Sequence, residues 1–83
     1  ALSKYVERRQ GDADNCVKAL NGGDFKFIAE VAHKIKGNGT TFGYPELSQL
    51  GERLEAAALK GDKAELSSCL DEFQKWIDTT KKS

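Results

Sequence analysis

The central stretch of this chain is AHKIKGNGTTFG, residues 32–43, which contains the only histidine in the protein. At about 100° per residue on a helix, its apolar positions continue a stripe that begins a turn earlier. That stripe comprises Ile28, Val31, Ala32, Ile35, Gly39 and Phe42. His33 falls away from it, on the solvent side, with the small Gly37 four residues further on. Because side chains at i and i+4 overlap on a helix surface, we predict an exposed imidazole with one open flank.

Apolar stripes with the same helical spacing recur along the whole chain. They predict four helices, at about residues 2–20, 24–42, 45–60 and 63–79. In the first helix the inward positions are predicted to be Leu2, Tyr5, Val6, Ala13, Cys16, Val17 and Leu20. Asp24 is a plausible N-cap, Pro45 suits a first helical turn, and Gly43 suits a helix end. Because the connections are too short for a crossover, we expect an all-α, antiparallel up-down four-helix bundle that forms a single domain over residues 1–83.

Composition narrows the possible functions. The 83 residues suffice for one domain, and the 13 basic residues balance the 13 acidic ones. A nucleic-acid-binding domain is expected to be basic, so we expect no nucleic-acid partner. No apolar run approaches the ~20 residues of a membrane span, so no membrane partner is expected either. Cys16 and Cys69 lie on apolar stripes and match no metal or redox spacing, which predicts buried free thiols and a cytoplasmic protein.

The glycines and the histidine also have simpler interpretations. The spacing Gly37-x-Gly39-x-x-x-Gly43 misses both the dinucleotide fingerprint and the P-loop pattern, and no strand precedes it. No second histidine, cysteine or carboxylate cluster accompanies His33 at ligand spacing, so no metal site is expected. On the helical wheel alone, His33 could equally be an ordinary surface histidine. The glycines could then serve helix packing only.

The run Ala32-His33-Lys34-Ile35-Lys36-Gly37 resembles the signature of histidine-containing phosphotransfer (HPt) domains. The resemblance continues through Phe42-Gly43, Leu47, Leu50 and Leu54-Glu55. It covers about residues 24–60 by motif and the whole chain by its four-helix layout. One departure is Asn38-Gly39-Thr40, which replaces the small Ser/Ala run usual after the first glycine.

The resemblance implies that His33 accepts a phosphoryl group and exchanges it with aspartates of receiver domains. It also implies that Lys36 is the lysine beside the acceptor, and that Gly37 and Gly43 are the two structural glycines. The implied partners are a response-regulator receiver domain or a hybrid sensor histidine kinase. The partner would supply the metal and the acidic residues, so we expect a monomeric phosphoryl carrier that needs no cofactor and is not an independent enzyme.

The chemistry of the residues agrees with that implication. Neutral imidazole is a good nucleophile near pH 7, and its N-phosphorylated form can pass the group on. Lys36 lies one turn from His33 and can neutralise phosphoryl oxygens, whereas Lys34 points about 100° away. The surface on which a partner packs is predicted to consist of Lys26, Ala29, Gly37 and Thr40.

Glu55 is a further candidate. In a hairpin that pivots at residues 43–44, it faces His33 and could bond the second ring nitrogen, although a solvated glutamate is an equal alternative. The competing hypothesis for the whole chain is a non-catalytic helical interaction module whose histidine is incidental.

Overall fold

The protein is an antiparallel up-down bundle of four α-helices, seen in a computed structural model that describes residues 4–82. The helices are α1 (Lys4–Gly22), α2 (Phe25–Asn38), α3 (Pro45–Lys60) and α4 (Lys63–Lys82). They pack in a ring, α1 on α2, α2 on α3, α3 on α4 and α4 on α1. The most extensive of these contacts joins α2 and α3, the two helices of the hairpin that contains the histidine. No helix within residues 4–82 combines the length and the apolar character that crossing a bilayer requires.

Short polar side chains and one proline define the helix starts. Asp24 Oδ1 accepts a hydrogen bond from the backbone N–H of Phe27 at 3.2 Å and so caps α2. Asp62 Oδ1 accepts the equivalent bond from Glu65 N at 3.1 Å at the start of α4. Pro45 occupies the first turn of α3, where a missing N–H removes no helical hydrogen bond. These contacts place the starts of α2, α3 and α4 within two residues of their predicted positions.

The core is apolar, and the predicted inward stripes account for most of it. Tyr5, Val6, Ala13 and Cys16 of α1 are buried as predicted, whereas Val17 is 45% exposed. Val17 lies about 100° around the helix from the fully buried Cys16, which carries it beyond the edge of the contact with α2 and α4. The predicted inward position at residue 2 lies outside the described residues.

The C-terminal end of the second helix differs from the prediction. Instead of continuing to residue 42, α2 ends at Asn38, and residues 39–43 form a turn. Gly39 is buried there, and a Cβ on it would lie 2.7 Å from the backbone nitrogen of Ser48 in α3. Gly39 keeps helical dihedral angles, with φ −55° and ψ −51°, and the close approach of α3 leaves no room for a side chain on it. A helical wheel drawn for α2 alone does not contain that information.

A Schellman motif closes this turn on Gly43. Gly43 has a φ of +89°, and the N–H of Tyr44 donates to the carbonyl oxygen of Gly39 at 2.7 Å. The left-handed conformation is one that glycine adopts without a steric penalty. Because the backbone reverses here, Phe42 is 58% exposed rather than on the inner stripe, and its ring stacks on Tyr5 with 4.4 Å between centroids.

Two further helix ends lie beyond their predicted positions. α1 continues to Gly22 rather than to residue 20, and α4 continues to Lys82 rather than fraying after residue 79. Lys81 and Lys82 lie in the last turn of α4, where positive charge is favourable beside the unpaired carbonyl groups.

Both cysteines are free and buried, as predicted. Burial raises the pKa of Cys16 to about 12, with a smaller contribution from the carboxylate of Asp12. Burial also raises the pKa of Cys69 to about 11, and a hydrogen bond to Glu65 adds to the shift. Since only the thiolate is reactive, both side chains behave as small apolar core residues near neutral pH.

Candidate functional site

His33 projects into solvent from the middle of α2. Its side chain is 74% exposed, while its neighbours Ala32 and Ile35 are buried against the rest of the bundle. The backbone that carries the imidazole is thus held firmly, and the ring itself remains accessible. This is the exposed position that the helical spacing predicted.

Glu55 of α3 holds one nitrogen of the ring. His33 Nδ1 lies 3.0 Å from Glu55 Oε2, a hydrogen-bond distance. A carboxylate can only accept, so the proton of this bond belongs to Nδ1. In the neutral ring Nε2 then carries the free lone pair, and no hydrogen bond to Nε2 forms within residues 4–82. Of the two alternatives for Glu55, the structure therefore selects the one in which it orients the ring.

Lys36 shares the same carboxylate. Its Nζ lies 3.8 Å from Glu55 Oε1, so the two carboxylate oxygens face a lysine and the histidine one turn before it. The sequence placed Lys36 beside the ring but did not predict this ion pair. Lys34, also exposed, forms no ion pair with any residue in the described part of the chain. Of these two lysines, Lys36 alone is held at the site.

A close approach between α2 and α3 brings these side chains together. A Cβ on Gly51 would lie 2.7 Å from Lys36 N and 2.9 Å from Ala32 O, so only glycine fits against the backbone of α2. Glu55 follows Gly51 by four residues and therefore emerges one turn further along the same edge of α3.

Small side chains and open space surround the imidazole ring. A Cβ on Gly37 would have no atom within 4 Å, apart from its own helix backbone, so the flank one turn after His33 is open. Lys26 is exposed and Ala29 is half-buried. A shallow groove beside the ring is lined by Ala29, Glu30, His33, Lys34 and Glu55.

Thr40 is not on the helical face where the sequence placed it. It lies in the turn after α2, where its backbone N–H donates to Ser48 Oγ at 2.8 Å and its hydroxyl donates to the same oxygen at 3.0 Å. Ser48 was not singled out from the sequence. Its half-burial near the start of α3 is visible only in the structure, and the sequence alone did not distinguish it.

The described residues, 4–82, contain no group of three or more His, Cys, Asp or Glu side chains arranged to hold a metal ion. What the site offers instead is one nucleophilic nitrogen, a carboxylate that orients the ring, and an adjacent ammonium group. Such a set suits the transfer of an anionic group to and from the exposed nitrogen, because the lysine can neutralise charge that arrives there.

Comparison with protein families agrees with this geometry. The model of the Hpt domain matches residues 1–83, the whole chain, and the protein therefore belongs to the Hpt domain family. Hpt domains are helical phosphotransfer carriers of phosphorelay, or two-component, signalling. Comparisons with curated proteins and with solved structures gave no match.

Proposed function

We propose that this protein accepts a phosphoryl group on Nε2 of His33 and passes it to, or receives it from, an aspartate of a receiver domain. The observation that carries the proposal is the 3.0 Å contact between His33 Nδ1 and Glu55 Oε2. It supports a ring protonated on Nδ1, with Nε2 as the nucleophile, on a side chain that is 74% exposed. An incidental surface histidine needs no such contact.

In the accepting direction, the Nε2 lone pair of His33 attacks the phosphorus of an aspartyl phosphate. The N–P bond forms as the P–O bond to the partner's aspartate breaks, and the aspartate leaves as a carboxylate. Nδ1 keeps its proton, so the phosphorylated ring carries a positive charge that faces the Glu55 carboxylate. Donation to an aspartate is the reverse of these steps, and no proton leaves the ring in either direction.

Lys36 is placed to neutralise the phosphoryl group. In the resting protein its Nζ is 3.8 Å from Glu55 Oε1, which is longer than a direct hydrogen bond, and the side chain is 46% exposed. Such a loosely held ammonium can turn from the carboxylate to phosphoryl oxygens one turn away at small cost. Phosphoryl transfer depends mainly on positioning and charge neutralisation, and this lysine contributes the second.

The other groups that phosphoryl transfer requires come from the partner. The residues around His33 offer a nucleophile, an orienting carboxylate and a cation, so a receiver domain or a hybrid histidine kinase supplies the metal ion and the acidic residues. A cytoplasmic location and a monomeric state remain predictions from the sequence. Lys26, Ala29 and Gly37 remain the predicted contact surface, and Thr40 belongs to the turn beside it.

The deciding experiment uses two phosphoryl donors, potassium phosphoramidate and a receiver domain that has been charged with acetyl phosphate. With either donor, the wild-type protein should gain one acid-labile, alkali-stable phosphate per molecule. An NMR experiment that correlates ³¹P with ¹⁵N should place this phosphate on Nε2. His33→Gln should gain none, while its helical circular dichroism and melting temperature stay close to wild type. Lys34→Gln is the matched control on the same helix, and phosphoramidate, which needs no docking surface, should still phosphorylate it.

Two results would overturn the proposal. Acid-labile phosphate on the folded His33→Gln protein would place the acceptor elsewhere. A wild-type protein that binds receiver domains but takes no phosphate from either donor would favour the alternative function, a helical interaction module.

A further inference from the structure

Leu59 is the most exposed of the large apolar side chains in the described chain. It is 76% exposed, compared with 58% for Phe42 and 45% for Val17. Phe42 has a partner, since its ring stacks on Tyr5. A single exposed leucine is common on protein surfaces and needs no explanation by itself. Its position relative to His33 gives it significance.

Two close contacts between α2 and α3 show which residues of α2 lie beside Leu59 along the hairpin. At one end, Gly51 packs against the backbone of Lys36. At the other end, a Cβ on Gly61 would lie 3.6 Å from the ring of Phe25. Leu59 is two residues before Gly61, and the helices run in opposite directions, so Leu59 lies level with residues 26–29 of α2.

The side of the hairpin on which Leu59 emerges is also fixed. Glu55 reaches His33, and Leu59 follows Glu55 by four residues, which places it one turn along and about 40° further around α3 on the same side. On α2, Ala29 lies one turn before His33 on the same face. The half-buried Phe25 and Ala29 and the exposed Leu59 thus form an apolar strip that leads up to the imidazole.

We infer that this apolar strip, formed by Phe25, Ala29 and Leu59, is the docking surface for the receiver domain, with Leu59 as its anchor. The inference rests on the proposed function. A receiver whose aspartate reaches Nε2 must cover the groove beside His33. The strip shares Ala29 with that groove, and its other two residues lie further toward the N-terminal end of α2. Burying an exposed leucine stabilises a complex, since removal of apolar surface from water is favourable. The inference extends the predicted contact surface from His33 along Ala29 to Leu59 and so gives the partner a direction of approach.

The test is a pair of charge-introducing substitutions, Leu59→Lys and Val17→Lys. Both positions are exposed and helical, and α1, which carries Val17, packs beside α2 and α4 rather than beside α3. Lysine and leucine have similar helix propensities, so the Leu59 variant should fold normally. Single-turnover transfer from phosphorylated receiver domains is measured over a range of receiver concentrations. Phosphorylation by phosphoramidate, which needs no docking surface, is measured in parallel.

For Leu59→Lys, the half-saturating receiver concentration should rise at least tenfold, and the rate with phosphoramidate should stay within twofold of wild type. Leu59→Met should restore near wild-type saturation, and Val17→Lys should have no effect. Unchanged saturation for Leu59→Lys, or an equal effect of Val17→Lys, would overturn the inference. So would a wild-type protein that phosphoramidate phosphorylates but no receiver does. If phosphoramidate also fails on wild type, the proposed function itself is at fault, not the docking surface.

Discussion

Replacing Glu55 by glutamine tests the part of the site on which the chemistry depends most. Glutamine keeps the size of the side chain and an acceptor oxygen, but it removes the negative charge 3.0 Å from His33 Nδ1. Phosphorylation at Nε2 leaves the ring cationic, so the lost attraction acts on the phosphorylated state and on the transition state that leads to it. The unphosphorylated state should be affected less, because glutamine keeps an acceptor for the Nδ1 proton.

The size of the lost attraction between Glu55 and the phosphorylated ring depends on how exposed the two groups are. His33 is 74% exposed but the Glu55 side chain only 22%, so the dielectric constant of water gives a lower limit for the attraction. Two unit charges 3.0 Å apart then attract by about 1.4 kcal/mol, which corresponds to about a tenfold change in an equilibrium constant. We therefore expect Glu55→Gln to shift the equilibrium about tenfold toward the phosphorylated aspartate of the receiver. Acceptance by His33 should slow by a smaller factor, because the charge is only partly developed in the transition state.

The assay mixes the protein with a phosphorylated receiver domain and measures the phosphate on each protein over time and at equilibrium. Glu52→Gln, a change at an exposed glutamate on the same helix, is the control and should match wild type. Because Glu55 also pairs with Lys36, the same measurement on Lys36→Met and on the double variant isolates the contribution of His33. An equilibrium unchanged in Glu55→Gln would refute the argument that this carboxylate supports the phosphorylated ring.

The other predictions concern a charge, two glycines and a thiol. With phosphoramidate as the donor, Lys36→Ala should slow phosphorylation about tenfold, equivalent to about 1.4 kcal/mol, whereas Lys34→Ala should slow it less than twofold. Gly51→Ala should destabilise the bundle by about 1–3 kcal/mol in urea unfolding, because its Cβ would collide with backbone atoms. Gly37→Ala meets open space and should instead stabilise it by about 1 kcal/mol, raising the Tm by about 4–8 °C. Labelling of Cys16 by iodoacetamide should be slow at pH 7 and rapid in denaturant, as expected from burial that raises its pKa to about 12.

Features that depend on one helix at a time could be read from the sequence. The stripes of apolar residues gave the number and the order of the helices, because an amphipathic helix has to bury one face whatever its neighbours are. The exposure of His33 followed from its position away from the stripe. Pairing of Glu55 with His33 required only one further assumption, an antiparallel hairpin with a short turn.

Features that depend on the separation of two helices could not be predicted in the same way. The close approach of Ser48 to Gly39, directly after the end of α2 at Asn38, is a tertiary contact. The exposure of Val17 depends on the width of the surface that α2 and α4 cover on α1. The ion pair between Lys36 and Glu55 depends on side-chain reach across the hairpin. Each of these requires coordinates in three dimensions.

The packing of the hairpin and the chemistry of the site depend on the same glycine. Gly51 allows α3 to approach the backbone of α2 so closely that a Cβ would lie 2.7 Å from Lys36 N. Glu55, one turn further along α3, reaches His33 Nδ1 at 3.0 Å as a result. A side chain at position 51 would force the two backbones apart, and a small displacement is enough to carry a contact of that length out of the hydrogen-bonding range. Loss of packing at Gly51 should therefore reduce both stability and phosphotransfer, although this residue lies in the helix interface and touches no phosphoryl group.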